Sequence, residues 1–313
     1  MQKKVFFSTG GIIITILFAL IILSGCTKKE DDGKVAVTTI SKEAETDFLK
    51  GRDLFEKLRQ QESLQYFESA FAKDNKFVMA YYYHSLANPT TKGFFEDVDN
   101  AVANMGSVSE GEKLLVMALK AGVDGNQKMQ EDHLKKLVEL YPKDERAHFQ
   151  LGQFYFGQQQ YDLAVEHLKK STELAENYSG AYNMLGYSYR NLSNYVEAEK
   201  AFKKYIELIP DDPNPYDSYA EMLLKQGRYE ESIVQYKKAL EINPDFFPSH
   251  MGISNNLIYM NRYDEAIKNS NDAYNNAKDD GEKRAALFAN AVAYVDSGNT
   301  DAALIEIQKQ YDI

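Results

Sequence analysis

The sequence predicts an all-α protein, a solenoid of stacked helix pairs. The stretch NYVEAEKAFKKYIELIPDD at residues 194–212 returns 34 residues later as RYEESIVQYKKALEINPDF. A fixed period of this length is typical of supersecondary units that bury their apolar faces against one another. Six of the seven prolines fall at junctions between the units, where a helix must begin or end. With 44% apolar residues in a chain of 313, the core between the units can be large.

The units divide the chain beyond its N-terminal segment into three parts. Residues 111–280 hold five contiguous units, preceded by a divergent part at 44–110 and followed by a partial unit at 281–313. Within the divergent part, residues 78–110 keep the phase of the repeat but lose its residue pattern. We therefore expect one continuous stack of helix pairs whose two ends are less regular than its middle.

One unit shows the packing pattern best. Within residues 179–212, the small residues Gly186 and Ala198 stand at the eighth and twentieth positions, where they let two antiparallel helices approach closely. The same unit resembles the tetratricopeptide repeat (TPR) in the residues at the family's set offsets, which are Tyr182, Leu185, Gly186, Tyr189, Ala198, Phe202 and Pro210. The resemblance implies a TPR α-solenoid, a right-handed superhelix of helix pairs.

Proteins built from this repeat are mostly scaffolds without catalytic activity. The resemblance implies a concave groove, lined by the first helix of each pair, that receives a protein or peptide partner. It places a mixture of aromatic, amide and charged side chains in that groove, which suits protein recognition. The alternative for each is an ordinary solvated position. The partner-binding residues implied are Phe149, Gln153, Phe156, Asn183, Tyr187, Arg190, Asn191, Asp217, Glu221, Lys225, Met251, Asn255 and Tyr259.

The N-terminal residues predict export and lipidation. Two lysines precede an unbroken apolar run at residues 12–23, which fits a signal peptide and is short of the roughly 20 residues of a spanning helix. The run ends in LSGC, which resembles the bacterial lipobox, and its Cys26 is the only cysteine of the chain. We predict a signal peptide at 1–25, a lipid such as palmitate on Cys26, and a flexible polar tether within 26–43. The alternative is an uncleaved N-terminal anchor.

The lipobox and the repeat together resemble those of bacterial TPR lipoproteins. The resemblance implies a protein held by its lipid in the cell envelope, and the KKEDD of residues 28–32 resembles a surface-export signal of Bacteroidetes lipoproteins. We expect an outer-membrane location, on the periplasmic or surface face, and a scaffold that binds a protein or peptide partner. The alternative function is a groove that captures a carbohydrate or peptide nutrient for an uptake system, with Tyr187 and Tyr259 as stacking residues.

Charge and motifs argue against several other classes. The net charge of −11 disfavours nucleic acid as a partner. The sequence contains no HExxH, no CxxC and no glycine-rich phosphate loop, so we expect no catalytic residue, no metal and no cofactor. An enzyme site within residues 81–110 is the remaining alternative. The last unit reaches Ile313 without a polar capping helix, which favours cover by a partner or self-association through that repeat.

Overall fold

Sixteen α-helices and no β-strand make up residues 33–313, the part of the chain that the computed structural model describes. The predicted signal peptide and Cys26 lie outside these residues. The helices are α1 (Lys42–Glu56), α2 (Gln60–Lys73), α3 (Val78–Ala87), α4 (Thr91–Asn104), α5 (Glu110–Val123), α6 (Gln127–Leu140), α7 (Glu145–Gly157), α8 (Tyr161–Leu174), α9 (Ser179–Asn191), α10 (Tyr195–Leu208), α11 (Pro213–Lys225), α12 (Tyr229–Ile242), α13 (Phe247–Tyr259), α14 (Tyr263–Asn275), α15 (Asp280–Asp296) and α16 (Thr300–Asp312).

The helices pack as a chain of pairs. Each odd-numbered helix contacts the even-numbered helix that follows it, and each even-numbered helix contacts the first helix of the next pair. Most neighbouring odd-numbered helices also touch each other, so they form one row, which we call the inner row. This arrangement confirms the predicted all-α solenoid. Among residues 33–313, no helix combines the length and apolar character needed to cross a bilayer.

Glycine at the eighth position of a unit sets the distance between the two helices of a pair. A Cβ atom added to Gly152 would lie 2.8 Å from Leu168, and one added to Gly186 would lie 2.7 Å from Phe202. Both large side chains are fully buried on the facing helix. A larger residue at either glycine would overlap its partner, so the small residue fixes the close approach that the sequence predicts.

The turn inside each pair repeats a left-handed residue every 34 positions. Gln159, Ser193, Gly227 and Asn261 have φ angles of 59°, 58°, 73° and 58°, and each lies two residues before the second helix of its pair. Only one of the four is glycine. The fold therefore holds three side-chain-bearing residues in a backbone region that such residues uncommonly adopt.

Residues 78–110 also form a helix pair, α3 and α4, although the repeat pattern is lost there. His84 Nδ1 lies 2.7 Å from Asp97 Oδ2, and Asn88 Nδ2 donates to the same carboxylate oxygen at 3.2 Å. These polar contacts join the two helices. His84 is buried, so the polar residues of this segment have a structural reason of their own.

Part of the tether predicted at residues 26–43 lies among the described residues and contacts the helices. Residues 34–40, which we call the docked segment, pass the N-terminal ends of α7 and α5 and the turn before α3. Acidic side chains at these points accept its hydrogen bonds, because a carboxylate is a strong acceptor for free backbone amides. The bonds run from Val35 N to Asp144 Oδ2 (2.7 Å), from Thr38 N to Glu112 Oε1 (2.8 Å) and from Thr39 Oγ1 to Asp74 Oδ2 (2.6 Å).

Candidate partner-binding groove

The first part of the inner row is covered by the chain itself. Arg146, near the start of α7, donates from Nε and Nη2 to the carboxylate of Glu56 at the end of α1, at 2.5 and 2.9 Å. The Arg146 guanidinium also lies 5.8 Å from the centre of the Tyr178 ring. The predicted groove residue Phe149 packs 5.0 Å from that ring and is partly buried. The end of α1 thus closes over the inner surface at α7.

Beyond α7, three predicted residues meet across two helices. Tyr187 Oη donates to Glu221 Oε2 at 3.0 Å, and Arg190 Nη1 donates to Glu221 Oε1 at 2.7 Å. The guanidinium of Arg190 also lies 4.7 Å from the centre of the Tyr187 ring, within cation–π distance. Burial raises the pKa of the Tyr187 hydroxyl above its usual value, and the charge of Glu221 adds to the rise. The three side chains therefore hold one another in place.

Asp217 lies one helical turn before Glu221 on α11. Ser249 Oγ, on α13, donates to Asp217 Oδ1 at 2.7 Å. Burial raises the pKa of Asp217 to about 6; the Ser249 hydrogen bond works against this rise, and the charge of Glu221 adds to it. Tyr187 from α9 and Tyr236 from α12 also lie close enough to feel its charge. Asp217 is thus an acid in a site that disfavours its ionised form.

Asn183 is almost sealed from solvent. Its side chain is on α9, at the fifth position of its unit, as Asp217 is on α11. The residue is 9% exposed, and its buried Oδ1 accepts no hydrogen bond from the described residues. A buried carbonyl without a donor is costly. Asn183 is therefore not a solvated surface residue.

The remaining predicted residues lie on α7 and along helices α9, α11 and α13. Tyr259 is 61% exposed and stacks on Tyr229, with 5.7 Å between the ring centres. Phe156 and Met251 are partly buried, whereas Gln153, Asn191, Lys225 and Asn255 are exposed. We define the α9–α13 groove by ten of the predicted residues, namely Asn183, Tyr187, Arg190, Asn191, Asp217, Glu221, Lys225, Met251, Asn255 and Tyr259.

Sequence reasoning missed two parts of this site. Ser249 stands at a position where other units carry alanine, such as Ala147 and Ala181, so it resembles a packing residue. Glu56 belongs to the divergent part of the chain and meets Arg146 across 90 residues. The change from alanine to serine was the one local signal for Ser249, and no local pattern pointed to Glu56.

No ligand set for a metal is present in the described part of the molecule. Among residues 33–313, no group of three or more His, Cys, Asp or Glu side chains is placed to hold a metal ion. The closest histidines, His148 and His167, have their Nδ1 atoms 3.3 Å apart, and His148 Nε2 lies 3.2 Å from the carbonyl oxygen of Pro142. His250 Nε2 makes the equivalent contact with the Pro244 carbonyl at 2.9 Å. His148 and His250 therefore support the turns that precede their helices.

Family comparisons point to the same repeat. A family model described as TPR repeat matches residues 220–252. A second, described as anaphase-promoting complex, cyclosome, subunit 3, matches residues 126–205. No curated protein sequence matches the chain.

Solved structures share the fold at low sequence identity. The yeast Tom70 structure is 16% identical, with a TM-score of 0.56, and the match covers 89% of this chain and 63% of that chain. The structure of the APC/C hetero-tetramer Cut9–Hcn1 is 15% identical, with a TM-score of 0.64, over 83% of this chain and 51% of that chain. The chain thus spans less than two thirds of each of these solved chains. The fold is an all-α TPR architecture.

Proposed function

We propose that this protein is a scaffold of the cell envelope, anchored to the membrane by lipid, which binds a segment of a protein partner in the α9–α13 groove. The observation that carries the proposal is the contact of Tyr187 and Arg190 with Glu221. Binding surfaces favour side chains that are held in place before the partner arrives, because less conformational freedom is then lost on association. No catalytic step is part of the proposal.

The position of the groove follows from what covers the rest of the inner row. At α7 the end of α1 lies over the surface through the ion pair of Glu56 and Arg146. On α9, α11 and α13 the side chains of Asn191, Lys225 and Asn255 are exposed. A partner segment would therefore cross the later helices, with aromatic and charged groups at the centre and amides at the rim.

Anchoring by lipid is supported by the lipobox-like LSGC that ends at Cys26. Two or three acyl chains suffice for stable anchoring, and we propose the outer membrane as the site.

The nutrient-capture alternative is less well supported. It needs a free aromatic face on Tyr187 for stacking on a sugar ring. Arg190 lies over the Tyr187 ring, and Phe202 packs against it at 5.2 Å between centres. Tyr259 already stacks on Tyr229. These contacts favour recognition of a protein segment over recognition of a sugar.

Self-association through the last repeat stays a prediction. The outer face of α16 exposes Leu304, Ile305, Ile307 and Tyr311. An apolar face of this kind is typical of a surface that is covered in the assembled protein.

Site-specific photocrosslinking in cells tests the scaffold proposal. A photoreactive amino acid replaces Asn255 in the groove and, as a matched control, Asn275 at the exposed end of α14. We expect one envelope protein to be captured from position 255 and not from 275, and capture to fall when Glu221→Ala removes the acceptor of Tyr187 and Arg190. Equal capture from both positions would show that the groove is not the binding surface.

Metabolic labelling tests the anchor separately. Because Cys26 is the only cysteine, a clickable palmitate should label the wild-type protein and leave Cys26→Ser unlabelled. The Cys26→Ser protein should also leave the membrane fraction. Labelling that persists in the variant would place the lipid elsewhere and contradict the lipobox interpretation.

A further inference from the structure

We propose that Asp217 forms a subsite for a positively charged group, the ammonium of a lysine or the guanidinium of an arginine, on the segment that binds in the α9–α13 groove. The proposal rests on the function proposed above and adds the chemistry of the partner. It is carried by the contacts of Asp217 and by the pairing of Arg190.

The carboxylate of Asp217 is held but not neutralised. Ser249 Oγ donates to its Oδ1 at 2.7 Å, which fixes the plane of the group. Its Oδ2 accepts no hydrogen bond from the described residues and is not among the sealed polar atoms. Within residues 33–313, no basic side chain lies within 4.0 Å of Asp217. One oxygen is therefore available to a donor that enters from the groove.

The arginine of the groove is already paired. Arg190 donates to Glu221 and lies over the ring of Tyr187. Glu221 accepts from Arg190 at one oxygen and from Tyr187 at the other. Arg190 and Glu221 thus neutralise each other and leave the charge of Asp217 uncompensated. A partly buried charge without a partner is unfavourable, so a cation from a ligand would remove an existing cost.

Met251 adds apolar surface to the row. It occupies the fifth position of the unit after that of Asp217, and it is partly buried. The row therefore offers a carboxylate and then an apolar surface. Long basic side chains pair in this way, with the charged head on an acid and the methylene stem on apolar surface.

The charge of the whole chain agrees with this assignment. Its net charge is −11, and an acidic surface steers cationic partners toward it. Lys225 is the one unpaired basic residue of the α9–α13 groove, and it lies at the exposed end of α11. The groove interior around Asp217 is therefore suited to a basic segment of the partner.

A peptide array tests the proposal. The probes are N-acetylated nonapeptides with one fixed central residue and randomised flanks, and the full chain in detergent is applied to them. We expect lysine or arginine at the centre to give the strongest binding. Asp217→Asn should weaken that binding by about 30-fold, the lower end for losing one member of a buried charge pair. The exposed Asp245→Asn, which changes the net charge equally, should leave it unchanged.

The outcomes separate this proposal from the scaffold proposal. Binding without preference for a basic centre, or equal binding by the Asp217→Asn protein, would overturn the subsite and leave the scaffold intact. No binding to any peptide would overturn both. Asparagine keeps the shape and the Ser249 bond, and an unchanged helical circular dichroism spectrum confirms folding.

Discussion

Glu56 and Arg146 join the first helix pair to the fourth across 90 residues of sequence, through two hydrogen bonds between their charged groups. Repeat proteins are usually stabilised by contacts between adjacent repeats only. Here a partly buried pair links repeats that are not neighbours along the stack. We infer that α1 and α7 unfold together, and that their contact decides which part of the inner row stays open.

Glu56→Gln should therefore destabilise the protein strongly. The change leaves the partly buried Arg146 with Glu145 as its remaining counter-ion, so we expect a cost of roughly 2 kcal/mol, between that of an exposed pair and that of a fully buried one. The matched control is Glu62→Gln, which removes the exposed pair of Glu62 with Arg59 and should cost less than about 1 kcal/mol. Urea unfolding measures both. Equal losses would mean that the Glu56–Arg146 contact adds nothing beyond an ordinary surface pair.

Gly186→Ala tests the packing of the helix pairs. Its Cβ would lie 2.7 Å from the buried ring of Phe202, so the helices must move apart, at a cost of about 1–3 kcal/mol. Gly157→Ala is the control, because its Cβ would meet nothing within 4 Å. At that helical position alanine should be neutral or slightly stabilising. If the two variants melt at the same temperature, Gly186 does not set the spacing.

The features that could be predicted from sequence depend on local periodicity. The pairing of Gly186 with Phe202 follows from a fixed spacing of 16 residues, so one unit reveals it. The left-handed turn residue was not predicted, because Gln159 and Ser193 have no preference for that backbone region. Periodicity fixes the stack, whereas the conformation of each turn is imposed by the helices it connects.

The candidate groove was partly predictable for the same reason. Tyr187 and Glu221 stand at corresponding positions of adjacent units, and the structure brings them into contact. The docked segment was not predictable, because its polar residues show no helical period and bind acids 35 to 109 residues away, such as Glu112 for Thr38. Contacts that depend on how distant repeats curve toward each other leave no pattern in one stretch of sequence.

Glu112→Gln should release the docked segment. Glu112 is fully buried and accepts from both the backbone N and the Oγ1 of Thr38. Removing its charge weakens two charge-assisted hydrogen bonds. We expect the amides of residues 35–40 to exchange with deuterium roughly tenfold faster than in the wild type, since a loss near 1.4 kcal/mol in a local opening equilibrium gives that factor. Hydrogen exchange with mass spectrometry measures this change.

Glu110→Gln serves as the control for the docked segment. Glu110 is exposed on the same first turn of α5 and pairs with Lys136, so the exchange of residues 35–40 should not change. Wild-type amides that already exchange at the rate of an unfolded peptide would show that the segment does not dock in solution.

Asp217 should make the stability of the protein depend on pH. Its folded-state pKa is about 6, above the value of about 3.9 for an unfolded aspartate, so the native state binds the proton more tightly. The stability that Asp217 contributes is full below about pH 4 and is lost as the pH rises through 6.

Asp217→Asn removes this loss and should raise the free energy of unfolding at pH 7.5 by about 2–3 kcal/mol, with little gain at pH 4. The exposed Asp245→Asn should have no such effect. Urea unfolding at both pH values measures the difference, and a gain that is equal at pH 4 and pH 7.5 would contradict the burial of an uncompensated charge at Asp217.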